Sequence, residues 1–320
     1  MESGIVLENS QVLGTQKISI VIPVFNNEES LPLLFSSILN QFSAEERNNL
    51  EIVFVDDGST DNSWSYIRKI KSEYSKMIVA IKLSRNFGQL AAMIAGWESA
   101  SGDAVINISA DLQDPPDLIS VLIEEWIMGS DLVIGIRKDR NDKLTSRFTS
   151  ALTNRIIKAS YPDMPDTWFD YTLMSRRVLD VVTSMEGRFR FSQGDMLYAG
   201  FKKSYVPYTR AKRPFGKSGY NFWKRVKNFT DSVLDSSYLL IQFFTKLGFF
   251  FSLASIIYAS WIVIARICNW IPSTGWAPIM IVLLVTTGIM MIMLGIIAEY
   301  LWRIYDSTRN KPVYVIEEKI

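Results

Sequence analysis

Five apolar runs rich in valine and isoleucine, at residues 18–24, 50–55, 77–83, 104–108 and 132–136, alternate with segments of helical periodicity. A strand that is apolar at nearly every position has no face to give to water. It must be covered on both sides, and helices between successive strands supply that cover. The pattern predicts an α/β domain built on a mostly parallel, Rossmann-like sheet. Helices are expected near 28–40, 62–75, 89–100 and 117–128, the second opened by the capping candidates Ser59 and Asp61. There is no internal repeat and no low-complexity tract.

The pattern changes after about residue 234. Residues 247–265 and 277–298 contain no charged side chain, and each run is close to the roughly 20 residues that cross a bilayer core. A buried helical hairpin of a soluble protein is the alternative, and flanking charge favours the membrane. From Met196 to Thr230 there are nine Lys or Arg and no Asp or Glu, and Arg303, Arg309 and Lys311 follow the second run. By the positive-inside rule both ends of the hairpin, and the large domain with them, face the cytoplasm. Between the domain and the first run, Phe222, Val226, Phe229 and Val233 recur at helical spacing with Lys224, Arg225 and Lys227 interleaved. This reads as an amphipathic helix, lying on the membrane surface or packed on the domain. The expected organisation is a polar tail at 1–17, the α/β domain at 18–220, the amphipathic helix at 221–236, spans at 240–266 and 276–300, and a cytoplasmic tail at 301–320. Residues 1–17 lack an apolar signal core, so no cleaved secretory peptide is expected. The net charge of +1 gives no reason to expect nucleic acid as a partner.

Polar clusters follow the strands, where an open α/β sheet places ligands. The first strand runs into Phe25-Asn26-Asn27, and a flat base could stack on Phe25. The second ends in Asp56-Asp57-Gly58-Ser59, which suits hydrogen bonding to a base or ribose and equally a helix N-cap. After the fourth comes Ser109-Ala110-Asp111-Leu112-Gln113-Asp114-Pro115-Pro116. With no histidine and one cysteine in the chain, the oxygen donors Asp111 and Gln113 point to a hard divalent ion, Mg²⁺ or Mn²⁺, shared with substrate phosphates. The fifth is followed by Arg137 and, further on, Arg147.

Taken together these segments resemble family 2 glycosyltransferases of the GT-A fold. Asp111-Leu112-Gln113-Asp114-Pro115-Pro116, Ser84-Arg85-Asn86-Phe87-Gly88-Gln89, Phe169-Asp170-Tyr171-Thr172-Leu173-Met174 and the C-terminal hairpin narrow the likeness. They are similar to the small polyprenyl-phosphate glycosyltransferases, relatives of dolichol-phosphate mannose synthase and of bacterial undecaprenyl-phosphate glucosyl- and aminoarabinosyl-transferases. The resemblance implies an inverting transferase in the bacterial inner membrane. It would move a sugar from a nucleotide diphosphate, UDP favoured, to a polyprenyl phosphate for cell-envelope glycan or O-antigen modification. It also implies a homo-oligomer, a tetramer in the family.

By position, the resemblance implies a donor pocket of Pro23, Phe25, Asn27, Val55, Asp57, Asp111 and Gln113, with Arg213 and Lys217 from a basic loop that would also attract lipid headgroups. Ser109, Asp111 and Gln113 would hold the metal. Arg137 and Arg147 would hold the acceptor phosphate, since the guanidinium fork binds two phosphate oxygens at once. Asp111 and Asp170 are the catalytic candidates. Asp170 would orient the acceptor or stabilise the sugar cation, or else brace Arg176 or Arg177. No general base is required, because a phosphate monoester, with a second pKa near 6, arrives mostly dianionic.

Three positions depart from the family pattern. Ser109 stands where a first metal-binding aspartate is usual, Asn27 where a glutamate often follows, and Gly219 where a lysine is usual. A processive polysaccharide synthase of the same fold would carry a larger membrane domain and a Gln-x-x-Arg-Trp motif, both missing from this sequence. A non-catalytic scaffold that has lost its metal site is the third reading.

Overall fold

A computed structural model describes residues 15–138, most of 158–211, scattered positions between 246 and 268, and 276–320 apart from residue 310. The predicted amphipathic segment, most of the first apolar run, and Arg147, Arg213 and Lys217 lie outside the described residues.

The core is an eight-stranded mixed sheet. In chain order the elements are β1 (Ile18–Val24), α1 (Leu31–Leu39), β2 (Leu50–Asp56), α2 (Ser63–Glu73), β3 (Ile78–Leu83), α3 (Gln89–Ser99), β4 (Ala104–Asn107), α4 (Leu118–Ile127), β5 (Leu132–Arg137), β6 (Thr172–Ser175), α5 (Arg176–Ser184), α6 (Ser192–Tyr198), β7 (Lys203–Tyr208), α7 (Trp276–Thr308) and β8 (Ile316–Lys319). The strand order is β7-β5-β6-β4-β1-β2-β3-β8. β1 pairs in parallel with β2 and β4, β2 with β3, and β5 with β7. β6 runs against both β4 and β5. β8 runs against β3 at the far edge. Six strands therefore share one direction, which is the mostly parallel sheet the apolar runs require.

Successive strand residues point to opposite faces, and the core divides accordingly. Ile18, Ile20, Ile22 and Val24 of β1 pack beneath α1, α2 and α4 through Leu34, Ile67 and Leu122. Val21 turns the other way and packs with Met93 and Trp97 of α3 and Val178 of α5. α3 lies so close to the sheet that a Cβ on Gly96 would sit 2.3 Å from Val21 Cγ1. Pro23 is tolerated in this central strand because the β4 ladder has already ended at Val21, opposite Asn107.

Three strands were not foreseen. β6 is only four residues long, β7 carries Pro207 on a sheet edge, and β8 comes from the stretch expected as a cytoplasmic tail. One capping expectation fails. Ser59 does not cap α2 but accepts the Asn26 amide, whereas Asp61 does accept the Ser63 amide in the first turn.

Among the described residues one helix is long and apolar enough to cross a membrane, with the candidate span Val285–Asp306 inside α7 at mean hydropathy 1.6. Many of the large apolar side chains described along it, Met290, Met291, Leu294 and Ile297 among them, are exposed on the protein. Seven residues after α7 the chain enters β8, and it does so opposite Leu83, the carboxyl end of β3. At about 3.4 Å per residue that link spans no more than about 25 Å. Tyr314 within it donates to Glu98 at 2.5 Å. The end of the apolar helix is thus tied to the same end of the sheet that carries the polar clusters.

Candidate functional site

The carboxyl ends of β1, β2, β4, β5 and β7, with the start of the reversed β6, converge on one crevice. Its first wall comes from two loops that lock into each other. Asn26, at φ +53, accepts the Thr60 amide at 2.8 Å and donates its own to Ser59 Oγ at 3.0 Å. Glu28 accepts the Asn62 amide at 2.9 Å and donates its own to Asp61 at 3.1 Å. This frame leaves Phe25 46% exposed. The Asn27 side chain turns inward, accepting the Phe25 amide at 3.0 Å and donating to Ser30 Oγ at 3.5 Å, so it shapes the wall. Val55 does not reach the crevice with its side chain, which is fully buried beneath α3.

The second wall is the Asp56-Asp57 pair, 0% and 3% exposed. Asp57 accepts the amides of Phe87 at 2.7 Å and Gly88 at 2.9 Å. Asp56 takes the Ser59 amide at 3.3 Å on one oxygen, and its other oxygen is buried without a hydrogen-bond partner among the described residues. Burial pushes both carboxyls above the usual range, against their hydrogen bonds. Gly58, at φ +71, permits the turn, since a Cβ there would lie 2.6 Å from the Arg85 carbonyl carbon.

The floor is the segment after β4. Ser109 Oγ lies 2.8 Å from Asp111 Oδ1 and 2.6 Å from Asp114 Oδ2. Asp111 Oδ1 also accepts the Gln113 amide at 3.2 Å. Leu112 between them is left-handed at φ +59, a conformation costing roughly 1–2 kcal/mol for a residue with a Cβ. Such strain is tolerated where the surroundings over-determine it. Here Ser30 Oγ holds the Ala110 carbonyl at 2.6 Å, the Ala211 amide holds the Gln113 carbonyl at 3.0 Å, and Tyr171 OH holds the Pro115 carbonyl at 3.0 Å. Ser109, Asp111 and Gln113 set hard oxygen donors side by side, which suits a hard cation. Among the described residues no three carboxylate or thiolate groups cluster as a ready cage. An ion here would therefore complete its shell from ligand and water oxygens, as Mg²⁺ commonly does.

The far wall holds Asp170 and Arg137. Arg137 Nη2 lies 3.8 Å from Asp170 Oδ2, and its Nε donates to Tyr208 OH at 3.5 Å. Gln193 Nε2 donates to Asp170 Oδ1 at 3.2 Å. Asp170 keeps 43% of its side-chain surface on the open side. Its carboxyl is nonetheless pushed above the usual range, by burial first, with Asp114 and Asp111 adding to the shift and Arg137 and Arg210 opposing it. It does not brace its neighbours: Arg176 binds backbone carbonyls, and Arg177 lies 3.6 Å from Asp131. Pro23, Ser109 and Asp170 line one small pocket with Gln89, Met93, Asn107 and Ile108.

Of the sequence candidates, the structure brings Pro23, Ser109, Asp111, Gln113, Arg137 and Asp170 together, with Phe25 and Asp57 in the first and second walls. It adds residues the sequence reading missed. Asp114, 1% exposed, accepts Tyr208 OH at 2.9 Å and faces Arg210 Nε at 3.8 Å. Asp114 was visible as a third acidic or amide position in the motif. Tyr208, Arg210 and Gln193 had no local signal, because their place depends on β6 and β7.

Comparison with known proteins agrees with this architecture. The glycosyl transferase family 2 model matches residues 19–183. The bactoprenol glucosyl transferase of Shigella phage SfII is 34% identical over 307 residues, covering 94% of this chain and 98% of that protein. A prophage bactoprenol glucosyl transferase homolog of Escherichia coli K12 is 33% identical over 306 residues, covering 94% and 98%. Glucosyl-3-phosphoglycerate synthase of Mycobacterium tuberculosis, crystallised with Mn²⁺, UDP and phosphoglyceric acid, superposes with a TM-score of 0.51 at 18% identity, over 70% of this chain and 78% of that one. That likeness is one of fold, and the mixed sheet is consistent with the GT-A arrangement. The chain is a glycosyltransferase and belongs to glycosyl transferase family 2.

Proposed function

We propose that this enzyme transfers a sugar, with inversion, from a UDP-sugar to a polyprenyl phosphate of the bactoprenol type at the cytoplasmic face of a bacterial inner membrane. The observation that carries the reading is the link from α7 into β8. It ties an apolar helix of spanning length to the carboxyl end of the sheet, so the crevice lies beside the surface where a lipid phosphate sits. End-to-end similarity to bactoprenol glucosyl transferases supports the acceptor class. UDP and a divalent ion in the structurally similar synthase support the donor and the cofactor.

In this reading Phe25 stacks on the base and Asp57 accepts hydrogen bonds from the nucleoside. Mg²⁺ or Mn²⁺, when bound by Asp111, Gln113 and Ser109, supplies charge stabilisation to the departing diphosphate. Arg213 and Lys217 belong to the same task. Arg137, with Arg147, orients the acceptor phosphate for in-line attack at the anomeric carbon. The phosphate is already ionised near neutral pH, so the site needs positioning and charge rather than a base. Asp170 holds Arg137 in place and faces the developing positive charge on the sugar. Two spans at 240–266 and 276–300 and the surface helix at 221–236 hold the domain at the bilayer, and a homo-oligomer is part of the proposal. Purified full-length protein should move radiolabel from a UDP-sugar into an organic-extractable undecaprenyl phosphate product when Mg²⁺ or Mn²⁺ is present. Label that stays in the aqueous phase with every UDP-sugar and both ions would sink the reading.

A further inference from the structure

We propose that Asp114 is a positioning residue which turns the Ser109 hydroxyl into a metal ligand, and so sets a second negative charge behind it. The inference rests on the divalent-ion reading of the site. A serine hydroxyl has one hydrogen and two acceptor lone pairs, and Ser109 Oγ sits between two carboxylate oxygens, at 2.6 Å from Asp114 and 2.8 Å from Asp111. Only one of these can receive the hydrogen. Asp114 is the one that needs it. It is 1% exposed, so water does not reach it, and a buried acceptor left without a donor is costly. Its other oxygen accepts Tyr208 OH at 2.9 Å. With the Ser109 hydrogen on Oδ2 both oxygens have a donor. Asp111 Oδ1 already accepts the Gln113 amide and is less enclosed.

When the hydrogen points at Asp114, the lone pairs of Ser109 turn toward Asp111. Two oxygens 2.8 Å apart that turn lone pairs toward each other form a ready pair of ligands for a cation lying across them. The spacing suits that arrangement: an octahedron with metal–oxygen bonds of about 2.1 Å has edges of about 3 Å. The buried Asp114 charge also draws the hydroxyl dipole into line, as carboxylates behind ligating imidazoles do. The second negative charge of the site is therefore present, one hydroxyl removed from the ion. Tyr171, packed edge-on to Tyr208 at 5.8 Å, keeps the assembly in place.

The test is Mn²⁺ binding to full-length protein in detergent with saturating UDP, read by the loss of the free-ion electron paramagnetic resonance signal. Asp114→Asn and Ser109→Ala should each weaken binding about 10-fold or more, the usual size of an outer-shell loss. The double variant should be no weaker than either single, because both remove the same ligand. On a Ser109→Asp background, Asp114→Asn should change affinity less than about threefold. Additive losses, or an unchanged affinity in Asp114→Asn, would overturn the proposal. Ser109→Ala removes one oxygen and is the safeguard if Asp114→Asn does not fold: unchanged Mn²⁺ affinity in that variant alone leaves Asp114 with no ligand to position and also overturns it. A wild-type protein that binds no Mn²⁺ overturns both this inference and the metal reading beneath it, whereas wild-type binding with an indifferent Asp114 overturns this inference alone.

Discussion

The two ends of the sheet treat the same chemical group in opposite ways. At the amino end, Glu51 of β2 is buried at 6% exposure, and every direction around it offers a donor. It accepts Ser19 Oγ at 2.6 Å, the Ser101 amide at 2.7 Å, Ser101 Oγ at 2.6 Å and Lys17 Nζ at 3.0 Å. Burial alone would raise its pKa, but the Ser101, Ser19 and Lys17 hydrogen bonds outweigh it and hold the carboxyl below its ordinary value. Nearby, the Arg176 guanidinium closes the carbonyls of Ala100 and Gly102. At the carboxyl end, Asp56 keeps an oxygen without a partner among the described residues, Asp57 and Asp170 are raised by burial, and Leu112 is left-handed. A satisfied carboxylate stabilises the fold, and an under-satisfied one waits for a ligand. Perturbed acids that gather in a crevice mark function on that ground, and the amino end supplies the internal control.

The sharpest way to break this contrast is to exchange the outcomes. Asp111→Asn should cut sugar transfer by about 10²–10³, the scale of losing a preorganised electrostatic contact, with an unfolding midpoint close to wild type. Glu51→Gln should do the reverse. Transfer per folded molecule stays the same, while stability falls by about 1–3 kcal/mol, or roughly 2–4 °C in midpoint for each kcal/mol in a domain of this size. Differential scanning fluorimetry beside a radiolabel transfer assay reads both. If Glu51→Gln lost transfer without losing stability, the division between the two ends would be wrong.

Asp170→Asn probes the contrast with a smaller effect. Removing a carboxylate whose charge is disfavoured by burial should raise stability by up to about 1 kcal/mol, a figure discounted because the side chain is 43% exposed and solvent screens it. Transfer should fall at the same time, since Arg137 loses its anionic partner. A stability gain bought with activity is the expected signature of a functional site. A variant that is destabilised and fully active would assign Asp170 to the scaffold.

How much of this was readable beforehand follows from which interactions are local. The five principal strands were legible because burial on both faces leaves continuous apolar runs, and the edges of α1 to α4 fell within a few residues of their periodic pattern. β6 and β8 were not, since Thr172–Ser175 and Ile316–Lys319 are short and take their strand character from the neighbours β4, β5 and β3. The place of Asp111, Leu112 and Gln113 beyond the end of β4 could be read from the local sequence alone. Its support could not: Tyr208 lies 94 residues from Asp114, and that contact exists only because β7 pairs with β5. Val55 is a different case: the alternation of β2 turns its side chain into the core.

The finest test of the two ends is their pH dependence, which should run in opposite directions. Glu51 has a folded pKa below its ordinary 4.5. Its contribution is complete above the unfolded value and is lost as pH falls through the lowered folded one. The midpoint deficit of Glu51→Gln should therefore be full at neutral pH and shrink on acidification below about 4.5. Asp170 has a folded pKa above its ordinary 3.8. Its contribution is present below the unfolded value and is lost as pH rises through the raised folded one, where a charge must form in a disfavoured place. Asp170→Asn should match wild type in acid, where both side chains are neutral, and gain on it as pH rises. Midpoint differences plotted against pH should thus separate with opposite signs between acid and neutral conditions. Two curves that moved together would mean that the carboxylates at both ends of the sheet are governed by the same balance, and that the open end is no more poised for a ligand than the closed one.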